Sequence, residues 1–325
     1  MKRRYFLSLL ASSTLCTFPA FSSPIKYPSK TIKIIVGSSP GALSDVAARI
    51  YAEKITSRLG SPVIVENIAG ASSTIAINNF LKSENDGHTL LVVANTVFTY
   101  PYLSNKVNYK PLEDFLPVAE LARGPGMVVI NSKLPHKTLK EFVDAAKKSP
   151  IQISYASGGL GTTSHLPMEM FQQESGFELL HIPYKGIAPA VIDVIGGRVD
   201  SMMGTPTSML SALKNGQLRP LAVTSEERIT EFPDVPTFKE LGYPNTSYTI
   251  FIALVAPKGI SPELRQTVAD IFNTEKNNKS LISSLAKLGQ GVDHRMNELK
   301  TLDQFIYGDS EKYAQLIKNK NIRLD

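Results

Sequence analysis

Two hydrophobic periods alternate along this chain, and that alternation restricts its fold more than any other feature. The short runs KTIKIIVG, SPVIVENI, HTLLVVAN, GMVVINS, IQISYAS, VDSMMG, LRPLAVT and TIFIALVAP have the length and patterning of strands. Between them lie amphipathic stretches at 44–59, 72–83, 138–148, 164–175, 187–196 and 207–215, and roughly the last 60 residues read as mostly helical. Strand and helix in turn predict an α/β protein with parallel sheets. Pro or Ser/Thr at the helix starts (PHKT, SPEL, PAVI) and Gly after their ends (RLGSP, NGQ, IGGR) agree with that parsing. At 325 residues the chain is near the size where one core gives way to two domains.

The first 22 residues belong to a different class of sequence. KRR is a positive start, YFLSLLASSTLCTF is an apolar stretch, and Ala20-Phe21-Ser22 fits the small-x-small cleavage rule. Residues 1–22 therefore read as a signal peptide cleaved near Ser22, with RRYFLS leaving the general secretory (Sec) and twin-arginine routes both open. A membrane anchor fits less well, because the stretch is short and contains Pro19. Cys16, the only cysteine, falls in this segment, and Leu15 stands where a lipid-attachment site wants a small residue. Cleavage removes three basic residues and no acidic one from a formal charge of +6, leaving about +3 spread along the chain. That balance does not suggest a nucleic-acid surface.

Two stretches carry binding chemistry. GSSPGALSD follows the first strand-like run and precedes a helix-like one, so Ser38, Ser39, Pro40, Gly41 and Ala42 form a small-residue loop at a helix start. Free amides and the helix dipole there favour an anion. The loop has no phosphate-type lysine, and it contains an acid, Asp45, suited to capping the helix, orienting a water or meeting an ammonium. YASGGLGTTSHL repeats the arrangement: Gly158, Gly159 and Gly161 free the backbone, and Thr162, Thr163, Ser164 and His165 offer four side-chain donors in succession. Each loop alone also reads as an ordinary capped turn. Together they favour a two-ended anion site. Lys185 reads as a solvated turn residue, and Thr205 lies at a strand's carboxyl end, where open α/β sheets bind ligands. The five histidines lack metal-ligand spacing, and no nucleophile elbow surrounds Ser164, so no metal, cofactor or catalytic residue is expected.

These residues carry a family resemblance. From Tyr27 onward the chain resembles the substrate-binding proteins of tripartite tricarboxylate transporters, the TctC or Bug family of periplasmic solute receptors. YPSKTIKIIVGSSPGALSDVAAR resembles the family's YPxKPIxxIVPFxPGGxxDxxAR, and VIVENIAGASSTIA and NDGHTLL resemble its next two blocks. YASGGLGTTSHL, HIPYKG, VIGGRVD, LRPLAVTSEER and PDVPTFKELGYP follow in order. The resemblance implies a type II periplasmic-binding-protein-like fold, with two α/β domains, a hinge and a ligand cleft between them. Domain one would combine 27–122 with 248–325, domain two would span 123–247, and ELARGPG and SYTIFIAL would be the crossings.

It also implies a monomeric periplasmic receptor that is not an enzyme and holds a small carboxylate (a di- or tricarboxylate, an amino acid or an aromatic acid). Its partners would be the transporter's membrane subunits. A sensor kinase is the alternative output, and an exported hydrolase using Ser164 or His165 the remote one. Carried over by position, Ser38 to Ala42 with Asp45, Gly158 to His165, and Asn95 with Thr96 would line the cleft. The chain departs from the pattern at Gly37-Ser38, at Ala42 and at Ile68, which suggests a smaller or more polar surface near Ser38.

Overall fold

A computed structural model describes residues 27–70 and 73–324. The expected signal peptide, its cleavage point and Cys16 lie outside the described residues. The elements run β1 (Ile32–Val36), α1 (Leu43–Leu59), β2 (Val63–Asn67), α2 (Thr74–Phe80), β3 (Thr89–Ala94), α3 (Asn95–Leu103), α4 (Pro111–Asp114), β4 (Phe115–Pro125), β5 (Met127–Asn131), α5 (Leu139–Lys148) and β6 (Ser154–Ser157). They continue with α6 (Leu166–Ser175), β7 (Leu180–Pro183), α7 (Ile187–Gly196), β8 (Ser201–Gly204), α8 (Leu210–Lys214), β9 (Leu218–Val223), β10 (Thr249–Pro257), α9 (Pro262–Thr274), α10 (Lys279–Ala286) and α11 (Leu299–Asn319).

The strands form two five-stranded sheets, ordered β2-β1-β3-β10-β4 and β7-β6-β8-β5-β9. Each sheet belongs to its own α/β lobe. The expectation of parallel sheets needs correction, since both are mixed. β1 runs parallel to β2 and β3, and β6 parallel to β7 and β8, but β10 is antiparallel to β3 and β4, and β5 to β8 and β9. Strand direction follows from connectivity. β1, α1, β2, α2 and β3 are joined by helical crossovers, which keep strands parallel. β10 instead brings the chain back beside β4, the strand along which it left.

Side-chain alternation places a core on each face of each sheet. Ile34 and Val36 pack with Tyr51, Ile55 and Phe272, while Ile35 points to the other face with Phe80 and Phe98. In the second lobe Val128 and Ile130 meet Phe142 and Phe171, and Met127 and Val129 meet Val191 and Val194. Each such side chain contributes roughly 1.5–3 kcal/mol by leaving water. Two of the punctuated helix starts are true caps: the Thr138 and Ser261 hydroxyls accept from the Glu141 and Leu264 amides, both at 3.2 Å.

The passage between lobes is tied at one hydroxyl. Thr224 Oγ1 accepts from the Gly126 amide at 2.7 Å and donates to the Tyr248 carbonyl at 2.6 Å. Gly126 follows β4 and Tyr248 precedes β10, so this residue joins both crossings. A fifth apolar cluster also spans the lobes, with Leu103, Tyr313 and Leu316 from one and Leu166 and Met170 from the other.

Candidate ligand site

The first loop is folded by its acid. Asp45, at the third position of α1 and 2% exposed, turns back to accept from the Gly41 amide at 2.8 Å. Its other oxygen accepts from Arg49 Nε at 3.0 Å and Asn67 Nδ2 at 2.9 Å. Burial alone would raise the carboxyl pKa, but the Gly41 amide, Arg49 and Asn67 together hold it below the usual range. Asn67 also donates to the Ser38 carbonyl at 3.0 Å, and the Ser38 and Ser44 hydroxyls are 2.7 Å apart. The acid therefore shapes the loop from within. Ala42 is the N-cap residue and supplies no side-chain cap, while Ser39, Pro40 and Gly41 are exposed.

The second loop turns most of its donors inward. Ser164 Oγ accepts from the Gly158 amide at 2.8 Å, and Thr162 Oγ1 donates to the Gly159 carbonyl at 2.7 Å. His165 is 2% exposed, and its Nδ1 accepts from the Gly161 amide at 3.0 Å, which places the ring proton on Nε2. Burial, with repulsion from His181, lowers its pKa to about 3, so the ring is neutral. Of the four successive donors, Thr163 alone keeps a hydroxyl with no partner among the described residues. It faces a cavity of about 260 Å³ shared with Gly158, Thr162, Ser164, Thr205 and Ser208. Thr205 caps the short turn after β8 by accepting from the Ser208 amide at 3.2 Å. The cavity thus sits at the carboxyl ends of the parallel strands β6 and β8.

Asn95 and Thr96 begin α3, directly after β3, and they meet the second lobe. A crevice too tight to admit a water molecule lies between them and Gly161, Thr162 and Thr163, lined also by Tyr248 and Tyr313. The crevice and the cavity share Thr162 and Thr163. At its tightest point the lobes touch: a Cβ on Gly161 would stand 2.2 Å from Leu103 Cδ1, and Gly161 has φ +73. Asn95 is 2% exposed and holds the return crossing. Its Nδ2 donates to the Thr249 carbonyl and to Asp309 Oδ2, both at 3.0 Å, and its Oδ1 accepts from the Phe251 amide at 2.9 Å. Burial raises the Asp309 carboxyl to about 6 against the pull of Asn95 and Lys312.

The residues expected from sequence therefore divide into three groups. Asn95 and Thr96 meet Gly161 to Thr163 across the crevice, and Gly158, Thr162, Thr163 and Ser164 share the cavity with Thr205. His165, which is buried, lines neither space, and nor do Ser38 to Asp45. Ser38 to Asp45 sit at the end of β1, the strand beside β3, on the same carboxyl edge as Asn95. Tyr248, Tyr313 and Leu103 were not singled out from the sequence, because on amphipathic or strand patterns they read as ordinary core. Only the doubling of helix and crossing at one junction gives them a site. Lys185 is exposed, as a turn residue should be.

Similarity to known proteins agrees with this architecture. The family model described as the tripartite tricarboxylate transporter family receptor matches residues 47–322. Protein BugT of Bordetella pertussis is 34% identical over 303 residues, covering 92% of this chain and 91% of its own. Among solved structures, a TctC solute-binding protein from Polaromonas superposes with a TM-score of 0.80 at 28% identity, covering 90% of this chain and 99% of that one. MatC from Rhodopseudomonas palustris with bound malate gives a TM-score of 0.74 at 25% identity, covering 90% of this chain and all of that one. The chain belongs to the tripartite tricarboxylate transporter receptor family, the periplasmic solute-binding proteins that include the Bug proteins.

Proposed function

We propose that this protein captures a small organic carboxylate between its lobes in the periplasm and presents it to the membrane subunits of a tripartite tricarboxylate transporter. The observation that carries the reading is the cavity at the ends of β6 and β8, lined by Gly158, Gly186 and Gly204, by Ile187 and by Thr162, Thr163, Ser164, Thr205 and Ser208, of which Thr163 keeps a hydroxyl with no partner among the described residues. Such a lining brings a free hydroxyl and no carboxylate to repel the ligand, which suits an acid better than a cation. The malate in the Rhodopseudomonas relative supports the ligand class. The exposed first loop at the end of β1, with the start of α1 behind it, is the surface expected to join from the facing lobe when a ligand draws the lobes together.

In this reading residues 27–122 with 248–325 make one domain and 123–247 the other. The mature protein is a monomer that binds without chemistry on its ligand, after an N-terminal leader has been removed. Thermal unfolding with a panel of malate, adipate, citrate, aspartate and benzoate tests the function, since a ligand of the native state raises Tm with the logarithm of its concentration over Kd. A concentration-dependent rise with at least one acid is expected, and the acid is recovered unchanged. Absence of any rise, in protein shown by mass spectrometry to carry no acid already, overturns the proposal.

A further inference from the structure

The second loop hangs on two imidazoles. His165 Nδ1 takes the Gly161 amide on one side. His181, half-buried on the edge strand β7, reaches the other side through Ser157. Its Nε2 lies 2.7 Å from Ser157 Oγ, which accepts from the Gly159 amide at 3.1 Å and stands 3.2 Å from the Gly159 carbonyl. That carbonyl also accepts from Thr162 Oγ1, and Thr162 lines the cavity. Ser157 itself is fully buried and directly precedes Gly158, another cavity residue. A histidine outside the cavity is thus joined to its lining by a short chain of hydrogen bonds.

The Ser157 hydroxyl has one proton and two acceptors within reach. With His181 neutral, the shorter contact directs that proton to Nε2. A proton added at Nε2 reverses the contact: the imidazolium donates to Ser157, and the hydroxyl proton turns to the Gly159 carbonyl. Gly159 is then held by its amide and its carbonyl together. Among the described residues, the titratable and charged groups facing His181 come from three elements. Tyr155 of β6 stacks on it at 4.6 Å and His165, at the start of α6, at 4.3 Å. Glu169 of α6 accepts from the Tyr155 hydroxyl, and Lys320, just past α11, lies 3.8 Å from the same carboxylate. Burial lowers the His181 pKa, and Glu169 draws it back. His165 is 2% exposed and stays neutral, so a charge on the stacked pair belongs to His181.

We infer that His181 is a positioning residue of the ligand site, which sets the second loop through Ser157 and, when protonated, strengthens the hold on a carboxylate in the cavity. This inference rests on the receptor reading and adds its regulation by pH. The cavity lining contains no cation. An imidazolium standing behind the loop supplies positive charge without entering the cavity, and it does so only as pH falls into the histidine range. The coupling is reciprocal: a bound carboxylate holds the proton on His181 to the same extent that the proton holds the carboxylate.

The test uses the full mature protein. NMR follows the His181 ring and the Gly159 amide from about pH 8 to about pH 5, and both are expected to titrate with one midpoint, with no ligand or substitution needed. Calorimetry then measures malate, adipate, citrate, aspartate and benzoate at about pH 7.5 and about pH 5.5, on wild type and on His181→Gln, whose side chain keeps a partner for Ser157 but cannot be charged. Each acid's own ionisation is common to both proteins, so the ratio of their affinities isolates His181. For the acids that bind, the wild-type Kd is expected to fall about threefold or more relative to that of the variant at the lower pH. Parallel pH profiles, or a Gly159 amide that does not follow the His181 ring, overturn the role of His181 and leave the receptor reading standing. Failure of wild type to bind any of these acids overturns the receptor reading itself, and this inference with it.

Discussion

His165 and His181 lie face to face, their ring centroids 4.3 Å apart and their planes 15° from parallel. Tyr155 continues the stack on His181 at 4.6 Å. Burial and mutual repulsion keep His165 neutral, and burial lowers the pKa of His181 as well. The native state of His165 thus binds fewer protons than the unfolded chain from about pH 6.5 down to about 3. The stability this group contributes is complete above about pH 6.5 and is lost as pH falls. Between pH 7 and 5 the loss should be about 2 kcal/mol. Urea unfolding of wild type and His165→Gln across that range checks it: the variant should show the smaller acid dependence, and parallel curves would refute a neutral His165.

Asp309 has the opposite sign. Its folded pKa of about 6 exceeds the ordinary carboxylate value, so the native state holds the extra proton. The stability linked to this group is complete below about pH 4 and declines as pH rises through 6. Asp309→Asn removes the buried charge and keeps a partner for Asn95. The variant should gain about 1–3 kcal/mol over wild type at pH 7.5, less at pH 4.5, measured by the same unfolding curves.

Gly161 is constrained twice, by its positive φ and by Leu103. Gly161→Ala should destabilise the protein by about 1–3 kcal/mol and weaken carboxylate binding, because the lobes can no longer meet at that point. In a double-mutant cycle Leu103→Ala should return part of that loss, since it removes the clash but leaves the backbone strain. Strict additivity in the cycle would show that Leu103 is not what Gly161 accommodates.

Asp45→Ala should lower stability by about 1–3 kcal/mol, since it leaves the Gly41 amide and Asn67 without their acceptor. Asp45→Asn should be milder, as an amide oxygen replaces one of the two carboxylate oxygens. Calorimetry separates the roles left open by sequence. A loss of affinity shared by plain and amino acids marks a loop-shaping acid, and a loss confined to amino acids marks contact with an ammonium.

Much of this architecture was legible because patterned runs report burial directly. The runs at 32–36, 89–94 and 249–257 are strands, and 187–196 is a helix to the residue. What escaped had mixed signals. NTVFTYPYL carries Pro101 and β-branched residues, yet it forms α3, because packing on the sheet overrides propensity. FLPVAELARGP, with a proline near each end, reads poorly as a strand and yet is β4, whose length serves the crossing. LHIP is too short to announce β7. At the site, loop composition marked where backbone and hydroxyls gather, but not which hydroxyls turn inward. Ser164 and Thr162 look alike with Thr163 in sequence and differ only in the partners folding gives them. Asp309 and Tyr313 sit on an amphipathic helix, where an acid reads as solvated and a tyrosine as core.

The place of β10 between β3 and β4 also sets an order of assembly. The second lobe's strands, 127–223, are complete before β10 has been made, whereas the first sheet lacks its fourth strand until residue 257 has emerged. Until then β3 and β4 each present a bare hydrogen-bonding edge, the kind that recruits strands from other chains. A chain truncated anywhere before β10 would therefore be an aggregation hazard even with one lobe fully formed, and the polypeptide must be made as far as residue 257 before those edges close.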